Sequence, residues 1–110
     1  DGIRLDTAPY VPTPFLASLQ HAAGVDILGE VTATNLSFHA SYQGPLRGLL
    51  NFPLADAIPA AFCGLSFPAT VAPDMTALAA VVRRQLADST PYRNLDLLAN
   101  FADNHDSPRI

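Results

Sequence analysis

A chain of 110 residues has room for one small domain; with 49% of its residues apolar and 15% charged, it is expected to fold rather than stay disordered. Its net charge of −4, built with six arginines and no lysine, leaves no basic stripe to follow a phosphate backbone, which argues against nucleic acid as a partner. No apolar stretch approaches the roughly 20 residues that span a bilayer and no positively charged leader precedes an apolar core, so a soluble chain without a membrane partner is expected. Because surface dominates a chain this small, the low charge content implies that part of the surface is covered by another chain. The single cysteine, Cys63, cannot form an internal disulfide. Within the apolar run from Ala60 to Leu65 it reads as a small buried hydrophobe.

Residues 2–6 read as a strand. Pro12-Thr13-Pro14 then opens a helix with Phe15, Leu16 and Leu19 on one face, closed by Gly24. Val25 to Glu30 is the second strand. The polar stretch from Thr32 to Gln43 is ambiguous and reads as a short helix with Leu36 and Phe38 tucked inward, before the turn residues Gly44-Pro45. Leu49 to Phe52 reads as a third strand stopped by Pro53, followed by a short helix from about Leu54 to Phe62 that Pro59 interrupts. Ser66 to Pro73 has the composition of an exposed loop. Asp74 caps the clearest helix, in which Met75, Leu78, Ala79, Val82 and Leu86 form an apolar stripe while Arg83, Arg84 and Gln85 face water. Ser89 to Asn94 is a linker, and Leu95 to Phe101 is the last strand. The order β-α-β-α-β-α-β predicts a single α/β domain over residues 1–110, with parallel strands and crossover helices.

Acids stand at or just past the ends of three of these strands. Alternation puts Arg4 and Asp6 on one side of the first strand and Ile3 and Leu5 on the other. A charged pair on a face of a parallel sheet is costly unless it is paired or used. A structural Arg4–Asp6 ion pair accounts for the first acid. Glu30, the only glutamate, reads equally as a capping or surface acid. Asn104-His105-Asp106 reads equally as a polar loop. Their joint occurrence favours a common use, because adjacent parallel strands lie about 4.8 Å apart and acids at their ends can meet at one sugar ring. No local zinc spacing links His21, His39 and His105, and His21, near a helix end, is expected to face solvent or cap it. Tyr10, Tyr42, Phe38 and Phe67 could stack on sugar rings, although packing explains each of them as well.

These segments resemble the α-amylase family, glycoside hydrolase family 13, from one end of the chain to the other. Gly2-Ile3-Arg4-Leu5-Asp6-Thr7 is similar to the family's fourth-strand motif, Gly29-Glu30-Val31 to its fifth, Asn51-Phe52-Pro53-Leu54 to its sixth and Asn104-His105-Asp106 to its seventh. The resemblance implies Asp6 as nucleophile, Glu30 as acid/base and Asp106 as the carboxylate that stabilises the transition state. It further implies that Arg4 aligns Asp6 and that His105, Asn104 and Tyr10 meet the substrate. Arg4 is expected to keep Asp6 ionised, while Glu30, with no cation beside it in sequence, is expected to be held protonated by burial. Where the family commonly continues its fourth-strand motif with a lysine and a histidine, this chain has Pro9 and Tyr10. That departure removes a calcium-linked position and implies no metal and no cofactor. A full (β/α)8 barrel takes about 200 residues or more. The expected fold is therefore a partial, half TIM-type barrel, truncated to about strands four to seven and completed by self-association as a dimer or tetramer. The implied activity is retaining hydrolysis of α-glucosidic bonds in malto-oligosaccharides or starch-like glucans, with broad specificity. A non-catalytic sugar-binding or structural oligomer, or an inactive piece of a larger amylase, remain as alternatives.

Overall fold

The computed structural model describes residues 1–66, 69–70 and 72–107. Four short parallel strands form the central sheet in the order β1 (Ile3–Leu5), β2 (Ile27–Gly29), β3 (Gly48–Leu50), β6 (Leu98–Ala99). Helices α1 (Thr13–Ala23), α2 (Leu36–Ser41), α3 (Phe52–Cys63) and α4 (Met75–Leu86) connect them, and a small antiparallel hairpin of β4 (Leu65–Ser66) and β5 (Ala69–Thr70) stands between α3 and α4. The expected alternation of parallel strands and crossover helices is present, with the hairpin added inside the segment expected to be a loop. Phe67, named for stacking, lies outside the described residues. No helix among the described residues is long and apolar enough to cross a membrane.

The two faces of the sheet have different fates, and register decides which residue goes where. Leu49 sits beside Leu98 in the ladder and, with Ile27, points into the helix-covered core, together with Leu16, Val31, Leu36, Leu46 and Tyr92. One residue along, Arg4 sits beside Leu28 and Leu50 beside Ala99; these side chains take the opposite face and are only partly covered. A parallel sheet normally buries both faces, so this second face is where polar chemistry can be placed.

Local chemistry explains the element ends. Gly24 and Gly64 close α1 and α3 in the left-handed conformation at φ of 66° and 65°. The Asn35, Asn51 and Asp74 side chains accept N–H bonds at the starts of α2, α3 and α4. Gly48 is bare because β2 and β3 approach closely there. A Cβ at Gly48 would collide with the Leu28 side chain and sit 3.0 Å from the Leu97 carbonyl oxygen, which cannot swing away. Gly48→Ala is accordingly expected to destabilise the fold by about 1–3 kcal/mol, as overpacking of a tight site does. An unchanged urea midpoint would contradict this.

Several expectations are corrected. The last two strands are shorter than the apolar runs suggested: β3 ends at Leu50 because Asn51 caps α3, and Leu95–Leu97 forms a 3₁₀ turn before β6. Pro59 does not interrupt α3, which runs on through it with Ala55, Ala57 and Ala61 buried. Cys63 is exposed rather than buried, because it lies on the last turn beside exposed Phe62, on the side away from Ala57 and Ala61. Phe15 and Phe38 point outward, while Leu16 and Leu36 on the same helices go in. In α4 the roles of two neighbours are reversed: Leu86 is 68% exposed, whereas Gln85 is 6% exposed. Gln85 goes inward because a buried partner waits for it there, the side chain of Asn51.

Candidate active site

Parallel register brings the first two acids together. Leu5 is level with Gly29, so Asp6 and Glu30 are the residues that follow each strand, and the Glu30 amide donates to the Leu5 carbonyl at 2.8 Å. Gly29 lets β2 settle on the core, since a Cβ there would lie 2.5 Å from Leu46 Cδ1. Arg4, two residues before Asp6 and on the same face, reaches both carboxylates. Its Nη1 lies 3.0 Å from Asp6 Oδ1 and its Nη2 lies 3.2 Å from Glu30 Oε1. Glu30, with no cation beside it in sequence, thus has one beside it in space. The cation comes from the adjacent strand, where spacing along the sequence could not show it.

Burial separates the two acids. Glu30 is 8% exposed, and its second oxygen, Oε2, accepts the Thr7 amide at 3.0 Å. The Asp6 side chain is 64% exposed and open to solvent or ligand. One carboxylate is thus held by donors on both oxygens, and its neighbour is accessible.

A cavity of about 210 Å³ opens on the same face at the carboxyl ends of the strands. Its lining includes Arg4, Leu50, Ala99, Asn100, Asn104 and His105. Arg4, Asn104 and His105 therefore share one cavity. Asp106 is exposed and pairs with His105 at 3.2 Å, and its amide is held by Asn104 Oδ1 at 3.0 Å. Tyr10 is 87% exposed, within the 3₁₀ turn Ala8–Tyr10 that follows β1. Among the described residues no three His, Cys, Asp or Glu side chains are grouped to hold a metal ion.

A buried polar layer supports this end of the sheet, and sequence reading missed it. His39 on α2 lies 3.0 Å through Nε2 from the Leu50 carbonyl, which can only accept, so Nε2 carries the proton. In the neutral ring Nδ1 then accepts from the Tyr92 hydroxyl at 2.9 Å. Burial pushes His39 below its ordinary value of 6.5, against the Leu50 carbonyl, which pulls it up. Burial pushes the Tyr92 hydroxyl up, with a hydrogen bond from Gln85 opposing. Asn51 Nδ2 donates to Asn100 Oδ1 at 2.8 Å and Gln85 Nε2 donates to Asn51 Oδ1 at 2.8 Å, joining the ends of β3 and β6 to α4. Among the described residues no buried side-chain nitrogen or oxygen lacks a partner. Only Asn51, an isolated polar residue in the apolar run Leu49–Leu54, could have signalled this layer; His39 stands in a polar stretch and Gln85 follows two arginines.

The histidine makes stability depend on pH. Because the folded state holds His39 at a lowered pKa, the unfolded chain takes up its proton first. Its contribution is complete above the unfolded value near 6.5 and is lost as pH falls through the lower, folded value. Denaturation midpoints are expected to drop between pH 7 and 5, a window above the range where most carboxylates titrate. His39→Gln should flatten that slope, and an unchanged slope in the variant would refute the assignment.

No family model matches the chain. Its relatives are nonetheless consistent in kind. The whole chain is 34% identical to α-amylase 2 of Schwanniomyces occidentalis and 33% identical to α-amylase 1 of Lipomyces kononenkoae, covering 20% and 16% of them. An α-amylase structure from Malbranchea cinnamomea superposes with a TM-score of 0.85 at 32% identity, over 99% of this chain and 21% of that one. An Anoxybacillus α-amylase superposes with a TM-score of 0.80 at 29% identity, over 24% of its length. The chain spans about a fifth of the length of the curated relatives it matches. Parallel sheet, strand-end motifs and full-length similarity agree that this is an α-amylase-family chain, corresponding to one part of the family's catalytic barrel.

Proposed function

We propose that residues 1–110 form a single domain-level part of the catalytic barrel of a retaining glycoside hydrolase acting on α-glucosidic bonds of malto-oligosaccharides or starch-like glucans. The observation that carries this reading is the single guanidinium of Arg4, which touches both Asp6 and Glu30 at the carboxyl ends of adjacent strands. In barrels of this type that end carries the chemistry.

A retaining enzyme needs two carboxyl groups about 5–5.5 Å apart, one to attack the anomeric carbon and one to protonate the leaving oxygen. Exposed Asp6, aligned by Arg4, is the nucleophile in this reading and forms the glycosyl ester. Glu30, less exposed and held on both oxygens, protonates the departing glycosidic oxygen and then takes a proton from the water that cleaves the ester. Asp106 supplies negative charge as positive charge develops on the ring, with His105 and Asn104 at the cavity and Tyr10 at its approach contacting sugar hydroxyls or faces. Broad rather than selective binding is part of this reading. No metal or cofactor enters the scheme.

Among the described residues, β1 and β6 are the outer strands of the sheet, each paired on one side. Pairing of these edges with a second copy, as a dimer or tetramer, is part of the same proposal. The test is size-exclusion chromatography with each fraction incubated with maltotriose, following glucose release and the anomeric configuration of the first product by NMR. α-Configured product from an oligomer peak is the expected result. Sugar that binds without turnover would replace hydrolysis by binding, and activity confined to a monomer would remove the assembly.

A further inference from the structure

Thr7 is the one non-glycine residue with positive φ among the described residues, at φ 50° and ψ 39°. A β-branched residue occupies that left-handed region only when its surroundings hold it there, and such outliers concentrate where geometry is used. Its side chain does not explain the strain: it is exposed and makes no capping hydrogen bond to the 3₁₀ turn that follows. The main chain does. The Thr7 N–H donates to Glu30 Oε2 at 3.0 Å, and the Ala8 N–H donates to the Glu30 carbonyl at 3.1 Å. The turn after β1 therefore closes over both the side chain and the backbone of the only glutamate in the chain.

We propose that Thr7 is a positioning residue whose main-chain amide, opposite Arg4, locks the Glu30 carboxylate in a single orientation. Arg4 holds Oε1 and the amide holds Oε2, so the plane of the carboxylate is fixed by two donors from the segment that also carries Asp6. Rotation of Glu30 away from Asp6 requires both bonds to break. A proton donor fixed in this way meets the glycosidic oxygen in one geometry, and misplacement of a reacting group by even about 1 Å is costly. That consequence rests on the proposed hydrolase; the clamp itself does not.

The experiment uses the fact that one glutamate makes a glutamate label unambiguous. The chain is prepared with 13C-glutamate and 15N-threonine, and again with Thr7 replaced by its α-hydroxy analogue, which turns the amide into an ester without an N–H. In the unaltered chain a scalar coupling is expected across the hydrogen bond from the Thr7 nitrogen to the Glu30 carboxyl carbon, together with side-chain couplings of a single Glu30 rotamer. The ester chain has no Thr7 nitrogen to couple, so there the Glu30 side-chain couplings are read: they should collapse to averaged values, and maltotriose kcat should fall about 10- to 100-fold, as loss of a hydrogen bond to a charged group does, with KM within about two-fold. Thr7→Gly, which keeps the N–H and suits positive φ, should keep the trans-hydrogen-bond coupling. Absence of that coupling in the unaltered chain overturns the proposal whether or not the ester chain folds. A single Glu30 rotamer persisting in a folded ester chain overturns it too. A present coupling with no turnover in the unaltered chain would leave the clamp standing and remove the hydrolase.

Discussion

Glu30→Gln is expected to lower maltotriose turnover by about 10²–10⁴-fold, the range that general acid–base groups contribute. The amide has nearly the shape of the carboxyl group but can neither deliver a proton to the leaving oxygen nor take one from water. The fold should survive, because the amide oxygen can still accept from Arg4 or from the Thr7 N–H, and only the contact that then faces the amide NH2 is lost. Substrate choice then separates loss of the acid from general damage. An aryl glucoside with a good leaving group needs little protonation, so its bond-breaking step should lose much less than that of maltotriose, whereas Asp6→Asn should abolish both, because no ester forms. Equal turnover by Glu30→Gln and the parent chain would remove Glu30 from the chemistry. A uniform loss on every substrate, with a shifted melting curve, would point to structural damage.

The parallel α/β order was legible because glycine and proline punctuate the apolar runs. Gly24, Pro53 and Gly64 fall at or next to element boundaries seen in the structure, and Gly44-Pro45 lies in the turn between α2 and β3. Arg4, Asp6 and Glu30 were legible for a different reason: acids at strand ends are anomalous in a parallel sheet, and anomaly draws attention where ordinary turn composition does not. What could not be read is what crosses the chain. Gln85 belongs by local pattern to the wet side of α4, and only Asn51, 34 residues away, makes the inside a better place for it. Gln43 joins the Arg93 and Asn94 amides about 50 residues on, and His39 meets Tyr92 at a separation of 53. Hydrophobic periodicity reports a residue's preference for water, whereas these placements are set by a specific partner that satisfies a buried polar group. Thr7 is hidden for a similar reason, since the bond that matters is made by its backbone.

Asn51→Leu is the substitution expected to cost the fold most. The Asn51 side chain caps α3 by accepting the Leu54 amide at 3.3 Å, accepts from Gln85 and donates to both Gln85 and Asn100. Loss of an N-terminal cap costs about 1 kcal/mol, and each buried group left without a partner costs about 1–3 kcal/mol. The total, about 3–5 kcal/mol, is a large share of the roughly 5–15 kcal/mol that stabilises a domain. For a domain of this size it corresponds to a melting temperature lower by about 12–30 °C. The reasoning makes a sharper demand on the double variant. Because the cost comes chiefly from stranding the Gln85 amide, Asn51→Leu with Gln85→Leu should recover about 1–2 kcal/mol of the loss, since replacing both partners by apolar groups removes the unpaired atoms. The recovery should not extend to the site. Asn100 lines the cavity and leads into the segment that carries Asn104 and His105, and in the double variant its side chain has lost the Asn51 amide that donates to it. Stability restored with sugar binding still weakened would place Asn51 between fold and site. Additive losses in the two single variants would show that Asn51 and Gln85 act separately, and the buried layer would then be packing rather than a support.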